Sequence, residues 1–350
     1  MIVVVCLNPA LDITHRVPAV NWGGVNRPSA VYARPGGKGL NVARTLHALG
    51  ADLLLTGLVG GVTGAGIEAE LGRLGVPSAL TAIAGETRRT FTIAADGTGA
   101  GHKGAVTAFY EAGPEVSARE FAQFRGQYEK ALAGAEAVVL SGSLPTGLAA
   151  GTYATLIETA AAAGVPAVLD THGEALRRGV AAGPAIVKPN LEELENLAGR
   201  RLSAPLGGSG ASGASGASSL DLAAVTLAAD QLRTLGAQAV VASLGPQGLL
   251  AATGDGRWQA RAPEVAGNAT GAGDAVAAAL AHGLVLGRPW HERLRHAAAL
   301  GTATVAAPVA GEFSDADYAR ALSTVTVQRA AAGRGAAPDR DIMLDRDEVG

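Results

Sequence analysis

The sequence predicts an α/β protein: a mostly parallel sheet covered by helices on both faces, with a small β-sheet lid. Three observations lead there. Short apolar runs recur along the chain, namely "VVVCL", "LLLTGLVG", "AVVLSG", "PAVLDT", "PAIVKP" and "AVVASLG". Alanine-rich helical segments lie between them, among them "LNVARTLHALG", "GIEAELGRLG", "GTYATLIETAAAAG" and "LEELENLAG". Strands that are apolar throughout belong in a parallel sheet buried on both faces, and such sheets bind ligands beyond the carboxyl ends of their strands. Thirdly, residues 12–35 and 86–110 alternate polar and apolar positions with no helix between them, as expected of strands in a small projecting sheet.

Composition narrows the function. The 350 residues allow one large domain or two. A hydrophobic content of 48% with 17% charged residues describes a globular protein with a large core, and 4% aromatics leave Ala, Leu and Val to fill it. A net charge of −3 offers no basic field for nucleic acid. The seven histidines are scattered, without a zinc-type spacing to cysteine. Cys6 is the sole cysteine, which excludes an internal disulfide and suits a reducing cytoplasm. "MIVVVCL" lacks a basic leader and stops at Asn8-Pro9, so it reads as a strand. No apolar run reaches the roughly 18 residues of a membrane span, and the expectation is a cytoplasmic protein without a membrane partner. "GGSGASGASGASS" (207–219) has linker composition, and the polar tail 331–350 reads as disordered; neither carries assigned chemistry.

The chemistry concentrates in glycine-rich junctions. In "NATGAGDAVAAALAHG" (268–283), Gly271, Ala272 and Gly273 open a strongly helix-favouring run. Asp274 beside them is either a helix cap or a base next to the phosphate-attracting amides of a helix N-terminus. "PGGKGLNVARTL" (35–46) sets Lys38 between glycines, with Gly37 before it and Asn41 one turn on; it lacks the Walker spacing. "TGAGIEAE" (63–70) fits GxGxxA through Gly64, Gly66 and Ala69, with Glu86 near the distance of a ribose-binding acid, so a dinucleotide site competes with simple tight packing. In "ETRRTFTIA" (86–94), Arg88 and Arg89 must face opposite sides of a strand, and a guanidinium suits bidentate phosphate recognition. "VKPNLEEL" (187–194) places Lys188, Asn190 and Glu193 at a strand-to-helix junction, as a capping box or as a magnesium site. "ASLGPQGLL" (242–250) reads strand, turn, strand, with Ser243 and Gly245 open to nucleotide phosphate. Asp12 in "NPALDI" follows the first strand, where a carboxylate can accept bonds from sugar hydroxyls.

Taken together and in order, "NPALD", "GGKGLNVA", "SGSLPTG", "LDTHGEAL", "KPNLEELE", "SLGPQG" and "NATGAGDA" resemble the ribokinase-like carbohydrate kinases, the phosphofructokinase-B family, from about Ile2 to Gly311. "NPALD", "VNR" (25–27), "GETR" (85–88) and "SGSLP" resemble its branch acting on phosphorylated hexoses, 1-phosphofructokinase and tagatose-6-phosphate kinase. The resemblance implies an α/β/α kinase domain over residues 1–330 with a β lid, ATP as donor and Mg2+. It implies Asp274 as the base, in a capping position, with Gly271, Ala272 and Gly273 stabilising the transferring phosphoryl group. Lys38 and Arg88 would bind a phosphate already on the sugar, while Asp12, Gly37, Asn41 and Ser141 hold the sugar itself. ATP would lie against Lys188, Asn190, Ser243, Gly245, Gly248, Thr270 and Gly273, with Glu193 holding Mg2+ through water. A homodimer through the lid is compatible with the resemblance. The reaction implied is ATP-dependent phosphorylation of fructose 1-phosphate to the 1,6-bisphosphate. Tagatose 6-phosphate is the nearest alternative acceptor, because "TAFYEAGP" (107–114) is closer to the tagatose-6-phosphate kinases, and His172 replaces a small hydroxyl residue. A ribokinase-type sugar kinase, an NAD-dependent dehydrogenase and a non-catalytic sugar-phosphate sensor stand further off.

Overall fold

A computed structural model describes residues 1–95, 106–204, 219–307 and 311–330. The tail 331–350 and all of the glycine-rich insert but Ser219 lie outside the described residues. Within them the chain forms strands β1 (Ile2–Cys6), β2 (Ala10–Val17), β3 (Ala30–Gly36), β4 (Leu53–Gly60), β5 (Ser78–Ile83), β6 (Arg88–Ala95), β7 (Val106–Tyr110), β8 (Ala137–Ser141), β9 (Ala167–Asp170), β10 (Ile186–Val187), β11 (Ser203–Ala204), β12 (Ser219–Leu220), β13 (Val240–Ser243), β14 (Leu249–Thr253), β15 (Gly256–Arg261) and β16 (Thr326–Arg329). The helices are α1 (Lys38–Ala48), α2 (Gly61–Arg73), α3 (Ala118–Leu132), α4 (Thr152–Ala162), α5 (Gly173–Ala181), α6 (Leu191–Ala198), α7 (Leu222–Leu235), α8 (Ala272–Val285), α9 (Trp290–Ala306) and α10 (Asp315–Thr324).

Ten of the described strands form one sheet, in the order β16-β15-β14-β13-β10-β9-β8-β1-β4-β5. From β5 to β13 every pairing is parallel; β14, β15 and β16 add an antiparallel edge. All five residues of β1 are buried, as they must be in a strand covered on both faces. Side-chain alternation splits the core in two. Ile2, Val4 and Cys6 pack with residues of α1, α2, α8, α9 and α10. Val3, Val5 and Leu7 pack with residues of α3, α4, α5, α6 and α7 on the opposite face. The result is an α/β/α sandwich. Among the described residues, no helix is long and apolar enough to cross a membrane.

Strand order also says where a ligand belongs. From β1 the chain moves one way through β4 and β5, then returns to β8 and continues the other way through β9, β10 and β13. The reversal between β1 and β8 is a topological switch point, and the crevice beyond the carboxyl ends of the strands there is the default ligand site of an open α/β sheet. The lid rises at that end. It is a second sheet, β3-β2-β6-β7, with β2 and β6 parallel and both outer pairings antiparallel. β6 and β7 fall inside the second alternating stretch, and β2 and β3 overrun the first by two residues at its start and one at its end, with residues 96–105 outside the described ones.

The dinucleotide reading of "TGAGIEAE" fails on this geometry. Gly64, Gly66 and Ala69 lie within α2 rather than in a strand-to-helix turn. The place a pyrophosphate would take is filled by Glu86, whose carboxylate accepts from the Val62 amide at 3.1 Å and the Thr63 amide at 2.7 Å. Gly64 serves packing, a Cβ there standing 3.1 Å from the Thr87 hydroxyl, Gly66 is exposed with open space around it, and Glu86 caps the helix.

Candidate active site

The carboxyl ends of β1, β9, β10 and β13 bring Asn8, Asp170, Lys188 and Ser243 to one crevice, while Ser141 at the end of β8 is enclosed. At its centre stands Asp170, the last residue of β9 and fully buried. Two ammonium groups converge on its Oδ1, Lys38 at 3.0 Å and Lys188 at 3.3 Å, while Oδ2 is buried without a partner. Lys38 opens α1 and also lies 3.5 Å from Glu193. Burial works against its charge, but the carboxylates of Asp170, Glu193 and Asp274 outweigh that and raise its pKa. Asp170 was not singled out from the sequence. An Asp at a strand's carboxyl end reads as an ordinary turn residue until the topology puts that end in the crevice.

Asp274 is the third residue of α8 and is buried. It is not the cap expected of it. The cap position is Gly271, in the left-handed region at φ +84°, and no side chain caps this helix. Asn41 of α1 donates its amide to Asp274 Oδ2 at 2.8 Å. The Ala272 and Ala275 amides bond to Ala269 and Gly271, whereas those of Gly273 and Asp274 find no backbone carbonyl among the described residues. Lys188 Nζ lies only 3.5 Å from where a Cβ on Gly273 would stand. The head of α8 thus combines free amides, the helix dipole and an ammonium, all favouring an anion. Burial, and then the nearby Asp170 charge, push the Asp274 carboxyl up to about 7, against the pull of Asn41, Lys38 and Lys188. A carboxylate poised near neutrality is what general-base work requires.

The lid contributes from its inner face. Asp12 on β2 pairs across to Thr90 on β6, whose hydroxyl donates to Asp12 Oδ1 at 2.6 Å. Burial raises the Asp12 carboxyl, partly offset by Thr90 and by the Arg88 guanidinium. Arg88 is half-buried; its Nη2 reaches the Asn8 carbonyl at 3.3 Å and its Nε is buried without a partner. Arg89 turns outward, as alternation requires, and pairs with Glu111 at 2.9 Å.

Other expected contacts look different in the structure. Ser141 is wholly enclosed, with no exposed surface and an unpartnered hydroxyl, so it does not line the open crevice. Asn41 spends its amide on Asp274 rather than on open space. Glu193 and Asn190 form a reciprocal capping box on α6, both bonds at 2.8 Å. Gly248 is demanded by packing, since a Cβ there would meet the Ala260 carbonyl at 2.1 Å. Ser243 and the exposed Gly245 and Thr270 remain on the rim, while Gly37 precedes Lys38 at φ +93°. His172 sits exposed before α5, without a side-chain capping bond.

A switch-point crevice holding a buried carboxylate, paired lysines and a helix N-terminus, with Asp12 and Arg88 on the lid above it, is a candidate phosphotransferase site in an α/β/α fold. The chain belongs to the pfkB family of carbohydrate kinases, whose family model matches residues 5–316. Phosphofructokinase-2 from Escherichia coli, solved with potassium, is 30% identical with a TM-score of 0.81 over 92% of this chain and 98% of that one. The same enzyme solved with fructose-6-phosphate matches with a TM-score of 0.80 at 30% identity, over 92% of this chain and 98% of that one. A possible 1-phosphofructokinase from Thermotoga maritima is 25% identical, with a TM-score of 0.78 over 94% of this chain and 99% of that one. Kinases of this family use ATP to phosphorylate a sugar.

Replacing Asp274 by Asn keeps the volume and removes the titratable carboxyl. Turnover should fall by about 10²–10⁴. Because the folded carboxyl titrates near 7 rather than 3.8, the wild type loses stability as pH rises through that interval and no further above it. Asp274→Asn should therefore melt at or above wild type at pH 8, its advantage shrinking as pH falls toward 4. Wild-type turnover, or a melting difference indifferent to pH, would contradict this assignment.

Proposed function

We propose that this chain phosphorylates a hexose monophosphate with ATP, and that its acceptor is fructose 1-phosphate, yielding fructose 1,6-bisphosphate. The observation that carries the phosphorylated acceptor is Arg88. A half-buried guanidinium with an unpartnered Nε and one long bond to a carbonyl is an incomplete site, and a phosphate supplies the missing acceptors in bidentate geometry. An acceptor without phosphate would leave that donor buried and unsatisfied. Lys38, one-third exposed beside Asp170, is the second cation facing this ligand. The choice of fructose 1-phosphate rests on "NPALD", "VNR", "GETR" and "SGSLP" and is supported by the Thermotoga neighbour. Fructose 6-phosphate is the second reading, because the E. coli neighbour is solved with it; tagatose 6-phosphate is the third.

In this mechanism Asp12 accepts hydrogen bonds from sugar hydroxyls and holds the ring. Asp274, oriented by Asn41, takes the proton of the attacking hydroxyl. The Gly273 and Asp274 amides and the Lys188 ammonium meet the charge that develops on the phosphoryl group as it moves from donor to acceptor. Ser243, Gly245, Thr270 and Asn190 border the nucleotide side. Among the described residues, no cluster of three His, Cys, Asp or Glu side chains could cage a metal ion. Magnesium is commonly held by one or two carboxylates with phosphate oxygens and waters. The unpartnered Asp170 Oδ2, with Glu193 acting through water, fits a cation of that kind. Mg2+ bound there would offset the charge on the phosphate oxygens.

The outer lid face supports a homodimer. Ile13 and Val17 on β2, and Phe91 and Ile93 on β6, alternate away from Asp12 and Arg88. Beside them a groove of about 450 Å³ is lined by His15, Trp22 and Phe109 among others, and Trp22 is 73% exposed. An apolar sheet face of this kind marks an interaction site. The proposed location is the cytoplasm, in keeping with the single buried thiol of Cys6.

A coupled ADP assay over fructose 1-phosphate, fructose 6-phosphate, tagatose 6-phosphate, fructose and ribose tests the substrate. The highest kcat/KM should fall on fructose 1-phosphate; preference for a phosphate-free sugar would overturn the reading. Arg88→Ala should lower kcat/KM for the sugar phosphate by about 10- to 150-fold, the range of one charge-assisted hydrogen bond, and leave the KM for ATP near wild type. Arg89→Ala should do little. Equal penalties on both substrates would move Arg88 to the nucleotide side. For the assembly, light scattering after size exclusion should give a dimer for wild type and a monomer for Ile13→Lys; identical masses would remove the lid interface.

A further inference from the structure

The segment Gly311–Glu312 is tied to the lid and to the catalytic floor at once. Glu312 Oε1 accepts from Arg34 Nη1 at 2.9 Å and from Arg44 Nη2 at 3.1 Å. Arg34 lies on β3, in register with Asp12 and on the same face of the lid. Arg44 lies on α1, and its other nitrogen reaches the Pro35 carbonyl at 3.5 Å, where the lid strand turns into that helix. Only 11% of the Arg44 side chain is exposed, and burial and then the Arg34 charge work against its own. Without Glu312 these two guanidinium groups would lose the carboxylate that bonds to both. Gly311, in the left-handed region at φ +72°, packs so closely on Asn41 that a Cβ would stand 3.2 Å from its Oδ1. Asn41 in turn holds Asp274.

We propose that Glu312 is a positioning residue that fastens the lid to α1, so that the sugar-phosphate contacts above and the base below keep one geometry. The chain of contacts runs from Asp12 and Arg34 on the lid, through Glu312, to Arg44 and Asn41 on α1 and so to Asp274. This rests on the reading that the lid presents Asp12 and Arg88 to the acceptor. Glu312 itself touches no reacting atom. Its side chain is 48% exposed, so its loss should loosen the lid without unfolding the chain.

Hydrogen–deuterium exchange on the full chain, beside steady-state kinetics, tests this. In Glu312→Ala the lid amides of Ala10–Val17 and Ala30–Gly36 should exchange about three- to tenfold faster, the scale of a partly exposed ion-pair network. Those of Ile2–Cys6 and Ala137–Ser141 should not change. The KM for the sugar phosphate should rise by a similar factor, with the KM for ATP within about twofold of wild type. Glu312→Gln, which keeps one acceptor but loses the charge, should fall between. Arg34→Ala should reproduce the effect, and the double variant should be no worse than either single one. Unchanged lid exchange, additive penalties or equal rises in both KM values would overturn the proposal. Lid exchange judges Glu312 even if no hexose phosphate is turned over, so a failed substrate assignment would remain distinct from a failed latch.

Discussion

Seven parallel strands aim their carboxyl ends at a volume that contains three carboxylates, Asp170, Asp274 and Glu193, and two lysines, Lys38 and Lys188. The need to balance those charges out of water governs the site. Removing one member of a buried ionic group leaves the rest uncompensated, at a cost of about 3–5 kcal/mol. Asp170 needs both ammonium groups, and they hold it at one oxygen. Asp274 has no ammonium of its own and receives an amide from Asn41 instead. The proton it keeps until near neutrality follows from that unequal division. Two carboxylates, one ending a strand and one in the first turn of a helix, thereby stand in different environments, which is what the proposed role of Asp274 as the base requires.

The lid solves a different problem. Its strands must be polar toward the crevice and apolar away from it, and period-two alternation does both at once. Asp12, Thr90 and Arg88 share the inner face; Ile13, Phe91 and Ile93 share the outer one. Since β3 runs into α1 and β2 follows β1, lid and floor are covalently continuous at the crevice. The ion pairs of Glu312 add a closure from a part of the chain 278 residues away from Arg34.

Much of this was legible in the sequence because burial on both faces leaves a plain mark. β1, β4, β8 and β9 coincide with continuous apolar runs, and α1, α4 and α6 with the alanine- and leucine-rich segments between them. Arg88 and Arg89 were separable by alternation alone. What the sequence hid depended on long-range neighbours. Asp170 becomes central only when the strand order sets β9 near β1. Glu312 has no local signature at all. Asp274 looked like a cap because Asp is favoured at helix starts, but Gly271 takes the turn and Asn41 takes the carboxylate. Ser141 was expected to hold the sugar from the family resemblance of "SGSLP", yet it is wholly buried. The glycines of α2 mimicked a dinucleotide motif until Glu86 was seen to fill the helix N-terminus.

The division of charge between Asp170 and Asp274 is open to direct observation by carbon-13 NMR of the aspartate carboxyl carbons, with Asp274→Asn identifying the signal. Asp274 should titrate near 7 in the free enzyme, and the midpoint should move to lower pH in Asp170→Asn, where the nearby negative charge is gone. A midpoint near the ordinary carboxylate value of about 4, or one indifferent to Asp170, would contradict the assignment of Asp274 as a base tuned by its buried neighbours.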